Sequence, residues 1–225
     1  TFANRYWTMK IKDLSTAFAR FFAAFLMLIC TTVTFATAKP LEVVAFGDSL
    51  MAGYQLDSQD AFPNRLAEAL TANGLEINMT NAAVSGDTTS GGLARLDWSI
   101  PDGTDVVILE LGANDALRGL PAETTRENLD KMIARLRERE ITVFLMGMLA
   151  PPNMGTAYEE AFNTIYPELA DKYEVEYYPF FLDGVAGIPD LNLSDGIHPN
   201  PAGIAVLVEK ILPVAEPFFK AQAVD

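Results

Sequence analysis

Apolar residues run along this chain in two alternating patterns. Unbroken runs of strand length are followed by stretches whose apolar residues fall three and four apart. The first run is Leu41–Phe46, closed by Gly47. Phe62, Leu66, Ala69 and Leu70 then fall at helical spacing and stop at Asn73-Gly74, a C-terminal cap. Residues 76–81 alternate weakly and read as a second strand, and residues 105–111 form a third around Val-Val-Ile-Leu. Leu129, Met132, Ile133 and Leu136 mark a helix with charged residues between them. Residues 141–146 are a fourth strand, 157–173 a helix despite Pro167, and 175–178 a short fifth strand. Ile204, Leu207, Val208 and Ile211 form a last helix, expected to end before Pro213. Continuous apolar strands separated by amphipathic helices imply a parallel sheet covered on both faces, a three-layer α/β/α domain. Such sheets carry their sites at the carboxyl ends of the strands.

The chain ahead of the first strand follows neither pattern. Lys10, Lys12 and Arg20 precede an almost wholly apolar stretch, 21–35, and then Ala36-Thr37-Ala38. A positive lead, a short apolar core and a small-x-small site are the layout of a secretory signal peptide, here cut after Ala38. The apolar stretch is short for a membrane span, which needs about 20 residues. An uncleaved N-terminal anchor is the alternative. Cys30 would suggest a lipid-modified cysteine, but Ile29 is bulky where such a signal usually has a small residue. Residues 1–8 precede Met9, the more natural start. On this reading residues 1–38 are a leader and 39–225 a single domain, periplasmic or secreted, with no stable membrane insertion once the leader is removed.

Composition narrows the partners. Half of the residues are hydrophobic, which is incompatible with a disordered chain. Thirty acidic residues face 16 Lys and Arg, a net charge of −14. The leader holds Arg5, Lys10, Lys12 and Arg20 against Asp13, a surplus of three positive charges that leaves the remainder at −17. Such a domain is a poor partner for nucleic acid, which needs clustered bases. The one cysteine excludes an internal disulfide, and one His with one Cys excludes an ordinary zinc site. Oligomeric state leaves no mark in the sequence.

Candidate chemistry follows the strands. After the first comes Gly47-Asp48-Ser49-Leu50, either a plain helix N-cap or a nucleophile at a helix start. The G-x-S-x-G elbow is absent, because Met51 stands at its second glycine. After the second come Ser85-Gly86-Asp87-Thr88-Thr89 and Ser90-Gly91-Gly92, a Gly-rich polar loop that is a simple turn or a source of N–H donors for an anion. No lysine follows at phosphate-loop spacing. After the third comes Gly112-Ala113-Asn114-Asp115, whose Asn114 makes an Asx-turn or donates its amide to developing charge. Asp195-Gly196-Ile197-His198-Pro199 holds the only histidine, with a carboxylate three residues before it. Together these supply a nucleophile, a base, an orienting acid and two oxyanion donors.

Four blocks carry a resemblance. They are 81–98 (NAAVSGDTTSGGLARLDW), 109–121 (LELGANDALRGLP), 146–158 (MGMLAPPNMGTAY) and 194–203 (SDGIHPNPAG). With Gly47-Asp48-Ser49-Leu50 they resemble the SGNH (GDSL) hydrolase family over residues 41–219. Within it they are similar to the bacterial branch of multifunctional acyl-CoA thioesterases, lysophospholipases and arylesterases. The resemblance implies a flavodoxin-like, five-stranded parallel sheet. It implies a Ser49, His198, Asp195 triad and an oxyanion hole made by the Ser49 and Gly86 N–H groups and the Asn114 amide. It implies no metal or cofactor. Met51, where a small or hydroxylated residue is commoner, and Ala116, where Gly is usual, bear on substrate preference and not on chemistry.

An acyl substrate needs an apolar groove. Candidate walls are Met51, Leu117, Leu120, Met148, Leu149, Pro151, Phe181, Leu182 and Ile188, with Arg118 the one base beside the site. Coenzyme A carries several phosphates that a −17 domain repels, so esters and lysophospholipids are expected to rank above acyl-CoA. Rival readings are a carbohydrate O-acetylesterase or acyltransferase, and a non-catalytic binding module.

Overall fold

The computed structural model describes residues 39–223, so the leader reading falls outside the described residues. The five predicted strands are present: β1 (Leu41–Phe46), β2 (Ile77–Asn81), β3 (Val106–Leu109), β4 (Thr142–Met146) and β5 (Glu176–Tyr178). They form one all-parallel sheet in the order β2-β1-β3-β4-β5. Val43 sits between Met79 and Val106 and sets the register at the centre. The central strands β1, β3 and β4 are almost fully buried. β2 and β5 lie at the edges and are partly exposed, which explains the weak pattern over 76–81.

The helices are α1 (Ser49–Ala52), α2 (Phe62–Ala72), α3 (Thr89–Ser99), α4 (Ala113–Leu117), α5 (Ala122–Glu138), α6 (Thr156–Asn163), α7 (Ile165–Tyr173) and α8 (Pro201–Gln222). They cover both sides of the sheet, with α2 packed on α8 and α5 packed on α3, α6 and α7. Among the described residues no helix is long and apolar enough to cross a membrane.

Three sequence readings change. The helix expected over 157–173 is two helices that meet at Thr164, and Pro167 falls in the first turn of α7. A first-turn N–H has no intrahelical partner to lose, so proline is tolerated there. The last helix does not end at Pro213 but runs to Gln222 through Pro213 and Pro217. Both prolines face solvent, while Ile211, Ala215, Phe218 and Phe219 keep the inner face buried. Burying Ile211, Phe218 and Phe219 at about 1.5–3 kcal/mol each offsets a cost of about 3 kcal/mol for each of the two prolines. Finally, Ser90-Gly91-Gly92 belongs to α3 and not to a loop, because Thr88 caps the helix through Gly91 N–H.

The chain crosses from β1 to β2 in one direction and then to β3 on the far side of β1. That reversal opens a crevice at the carboxyl ends of β1 and β3.

Candidate active site

Three strand ends and one long loop meet at this crevice. Beyond β1, Asp48 caps α1 by accepting from Leu50 N–H at 3.0 Å. Asp48 therefore takes the capping role, and the Ser49 hydroxyl is left to point away from its own helix. Gly47 is demanded by space, since a Cβ there would lie 2.6 Å from the Glu110 carbonyl oxygen.

Ser49 Oγ lies 2.8 Å from His198 Nε2, and His198 Nδ1 lies 2.7 Å from Asp195 Oδ2. A carboxylate can only accept, so it selects the imidazole tautomer with its proton on Nδ1. Nε2 is then free to accept from the Ser49 hydroxyl. Asp195 also accepts from the backbone N–H groups of His198 and Ile197, at 3.0 and 2.9 Å. Those two donors, with the imidazole, hold its carboxyl down at about 2.

The loop that carries Asp195 and His198 is tied at its base. Asn192 Nδ2 donates to the carbonyls of Val185 and Ile188, both at 2.8 Å. Leu193 N–H donates to the His198 carbonyl at 2.7 Å. Asn200 accepts from Gly203 N–H and so caps α8 immediately after the loop. The Tyr54 ring packs on the imidazole with centroids 4.4 Å apart.

Asn114 stands in the first turn of α4. Its Nδ2 donates to Asp48 Oδ2 at 2.9 Å, so the local Asx-turn is not the arrangement adopted. One amide hydrogen is engaged there and the other remains for a ligand. Ser49, Gly86 and Asn114 all line one cavity. Neither the Ser49 nor the Gly86 N–H has an acceptor among the described residues. A hydroxyl bonded to an oriented imidazole, beside three convergent N–H donors, can attack a carbonyl and hold the resulting oxyanion.

Two buried acids lie underneath. Burial pushes Asp48 up to about 6, against the pull of Leu50 N–H and Asn114. Glu110 is wholly buried, and burial together with the Asp48 charge pushes it well up. Its Oε2 accepts from Asp48 N–H at 3.2 Å. Asp115 is also fully buried, but Thr89 N–H and the Thr89 and Thr125 hydroxyls satisfy it and tie α3 to α4.

The cavity encloses about 830 Å³. Of the predicted walls, Leu117, Met148, Leu149, Pro151 and Leu182 line it. Met51 does not: it lies about 200° round α1 from Ser49 and turns into the core. Phe181 packs edge-on against Phe62 at 4.8 Å, and its neighbour Phe180 lines the cavity in its place. Leu120 is half-buried away from the cavity, where its carbonyl accepts from the Tyr158 hydroxyl. Ile188 is exposed beside the lining residue Gly187. Arg118 is not a wall either, because its Nη2 donates to the Gly86 carbonyl at 2.7 Å and braces that loop. Sequence reasoning missed Tyr54, Phe180 and Ile197 as lining residues, since nothing local distinguishes them from packing residues.

Comparison with known proteins identifies the family. Residues 45–206 match the GDSL-like lipase/acylhydrolase family. The chain is 42% identical to an arylesterase of Vibrio mimicus over 161 residues, covering 71% of this chain and 80% of the relative. It is 36% identical to thioesterase 1/protease 1/lysophospholipase L1 of Escherichia coli (strain K12), covering 80% of this chain and 85% of the relative. The crystal structure of TesA superposes with a TM-score of 0.74 at 36% identity, covering 78% of this chain and 98% of that one. With its parallel sheet and this match over most of its length, the chain belongs to the GDSL-like lipase/acylhydrolase family and is an SGNH ester hydrolase.

Proposed function

We propose that the chain hydrolyses carboxylic esters and thioesters of medium to long acyl chains through an acyl-enzyme on Ser49. The observation that carries this is the unbroken line Ser49 Oγ, His198, Asp195 at 2.8 and 2.7 Å, opening into an apolar cavity of about 830 Å³. As Ser49 Oγ bonds to the acyl carbon, His198 Nε2 takes its proton. The oxyanion rests on the Ser49 and Gly86 N–H groups and the Asn114 amide. The bond from carbon to the leaving oxygen or sulfur breaks as His198 returns the proton to that atom. Water, deprotonated by His198, then releases the acid and frees Ser49.

The wall composition supports acyl chains over an acetyl group alone. Leu117, Met148, Leu149, Phe180 and Leu182 offer more apolar surface than two carbons can use. Among the described residues no Lys or Arg lines the cavity, and the net charge is −14. Aryl esters and lysophospholipids therefore rank above acyl-CoA, whose phosphates meet no cation there. The names of the arylesterase and thioesterase/lysophospholipase relatives are consistent with this range. The apolar leader supports export to the periplasm or beyond, which N-terminal sequencing of the secreted chain tests through a start at Lys39.

The deciding experiment is a panel of C2 to C16 aryl esters, lysophosphatidylcholine and palmitoyl-CoA, run with Ser49→Ala alongside. Expected are activity beyond C2, a lower kcat/KM for palmitoyl-CoA than for the matched ester, and loss of turnover in Ser49→Ala. Activity confined to C2 would favour the O-acetylesterase reading. An unreactive Ser49 with retained ligand binding would favour a binding module.

A further inference from the structure

We propose that Arg95 is a positioning residue that sets the spacing of the oxyanion donors by holding the β1 and β2 exits with one guanidinium. The inference rests on the hydrolase reading above. Arg95 lies in α3 and is only 6% exposed, although it is an arginine. Its Nε donates to Asp87 Oδ2 at 2.6 Å. Its Nη1 donates to the Ala82 carbonyl at 2.6 Å, and its Nη2 donates to the Gly47 carbonyl at 3.0 Å. A longer contact of Nη1 reaches Ser99 Oγ at 3.3 Å. The guanidinium also lies over the Phe46 ring, 3.9 Å from its centroid.

Each acceptor has a place in the site. Gly47 precedes Asp48-Ser49, so its carbonyl fixes the turn that aims the Ser49 N–H. Asp87 follows Gly86, so its carboxylate fixes the loop that aims the Gly86 N–H. Ala82 is where the chain leaves β2 and turns toward that loop. Arg118 holds the same loop from the solvent side through the Gly86 carbonyl, but it is exposed. Among the described side chains Arg95 reaches both the Ser49 turn and the Gly86 loop, and it reinforces the backbone bond from Val84 N–H to the Gly47 carbonyl at 3.0 Å. Its planar fork presents donors in fixed directions, which the single ammonium of lysine cannot reproduce. Oxyanion donors act only when they are placed before the charge develops, so an error in their spacing falls on the transition state and not on the bound ester.

The test is kinetic. Arg95→Lys should lower kcat for an aryl ester by about 30–100-fold while KM stays within about twofold. The inhibition constant of a phenylboronic acid, which forms a tetrahedral adduct on Ser49, should rise by a similar factor. A lowered Tm with unchanged kcat and boronate affinity would overturn the proposal and make Arg95 a packing residue. Should Arg95→Lys fail to fold, Asp87→Asn carries the same test. That change removes one arm and leaves the bonds to Gly47 and Ala82. It should lower kcat several-fold at constant KM, and a kcat equal to wild type overturns the proposal. Wild-type turnover and fluorophosphonate labelling of Ser49, run in the same series, separate the two readings. An inactive, unlabelled wild type overturns the hydrolase mechanism itself. An active wild type with a fully active Arg95→Lys overturns only the role of Arg95.

Discussion

Asn114 Nδ2 donates to Asp48 Oδ2 at 2.9 Å across 66 positions of sequence. The residue that caps the Ser49 helix thus also aims the amide assigned to the oxyanion. Asn114→Ala should lower kcat by about 10²–10³, and Asp48→Ala by a smaller factor, roughly ten, with KM nearly constant in both. Steady-state kinetics on one aryl ester measures this. An Asp48→Ala enzyme altered only in KM would break the link.

Asp195 is held ionised by two backbone N–H groups and the imidazole. Asp195→Asn cannot select the same tautomer, so kcat should fall by about 10³–10⁴ while the fold persists. Circular dichroism beside the kinetics separates the two effects. Because its carboxyl is lowered in the folded chain, its stabilising contribution is complete above the ordinary carboxylate range. That contribution is lost only as pH falls toward about 2.

The Asp48 and Glu110 pair has the opposite sign. Both carboxyls are raised by burial, so the folded chain keeps protons that the unfolded chain releases. Their contribution to stability is complete below the ordinary carboxylate range and is lost as pH rises above it, for Asp48 by about 6, at about 1.4 kcal/mol per pH unit for each proton that only the folded chain holds. Glu110→Gln needs no proton to stay neutral. Its stability relative to the parent should rise between about pH 5 and pH 8 in urea unfolding. Parallel curves for the two proteins would show that Glu110 is not held protonated.

The groove should set chain length. Leu182 lines it and is half-buried, so Leu182→Trp fills space that an acyl tail would occupy. Each buried methylene is worth about 0.8 kcal/mol, and excluding two costs about tenfold in kcat/KM. The ratio of C12 to C4 ester turnover should therefore fall about tenfold or more, with C4 turnover little changed. An unaltered ratio would move the acyl site elsewhere.

Gly112 is closed to a side chain on two counts. It has φ 124°, and a Cβ there would lie 2.1 Å from the Tyr166 hydroxyl oxygen. That hydroxyl donates to the Leu111 carbonyl at 2.8 Å inside the core. Gly112→Ala should cost about 2–4 kcal/mol by urea unfolding and reduce activity by displacing Asn114.

Much of this protein was legible in one dimension. Apolar runs marked β1, β3 and β4, since a strand buried on both faces needs no partner to reveal itself, while the edge strands β2 and β5 left only a weak pattern. Ser49, Gly86 and Asn114 stood in the segments that follow β1, β2 and β3, because a parallel sheet delivers its loops to one edge, while Asp195 and His198 lie in the long loop before α8. What the chain alone did not determine is direction. Met51 and Phe181 have the right chemistry for a groove but point into the core, while Phe180 and Tyr54 face the cavity. Proline at 213 stops an isolated helix, yet burial of Phe218 and Phe219 carries α8 past it. Arg95 reads as one charge on a helix until three strand-exit groups converge on it. Periodicity is set by neighbours in sequence. Which way a side chain points, and what it holds together, is set by neighbours in space, where burial and hydrogen bonding between distant segments outweigh local preference.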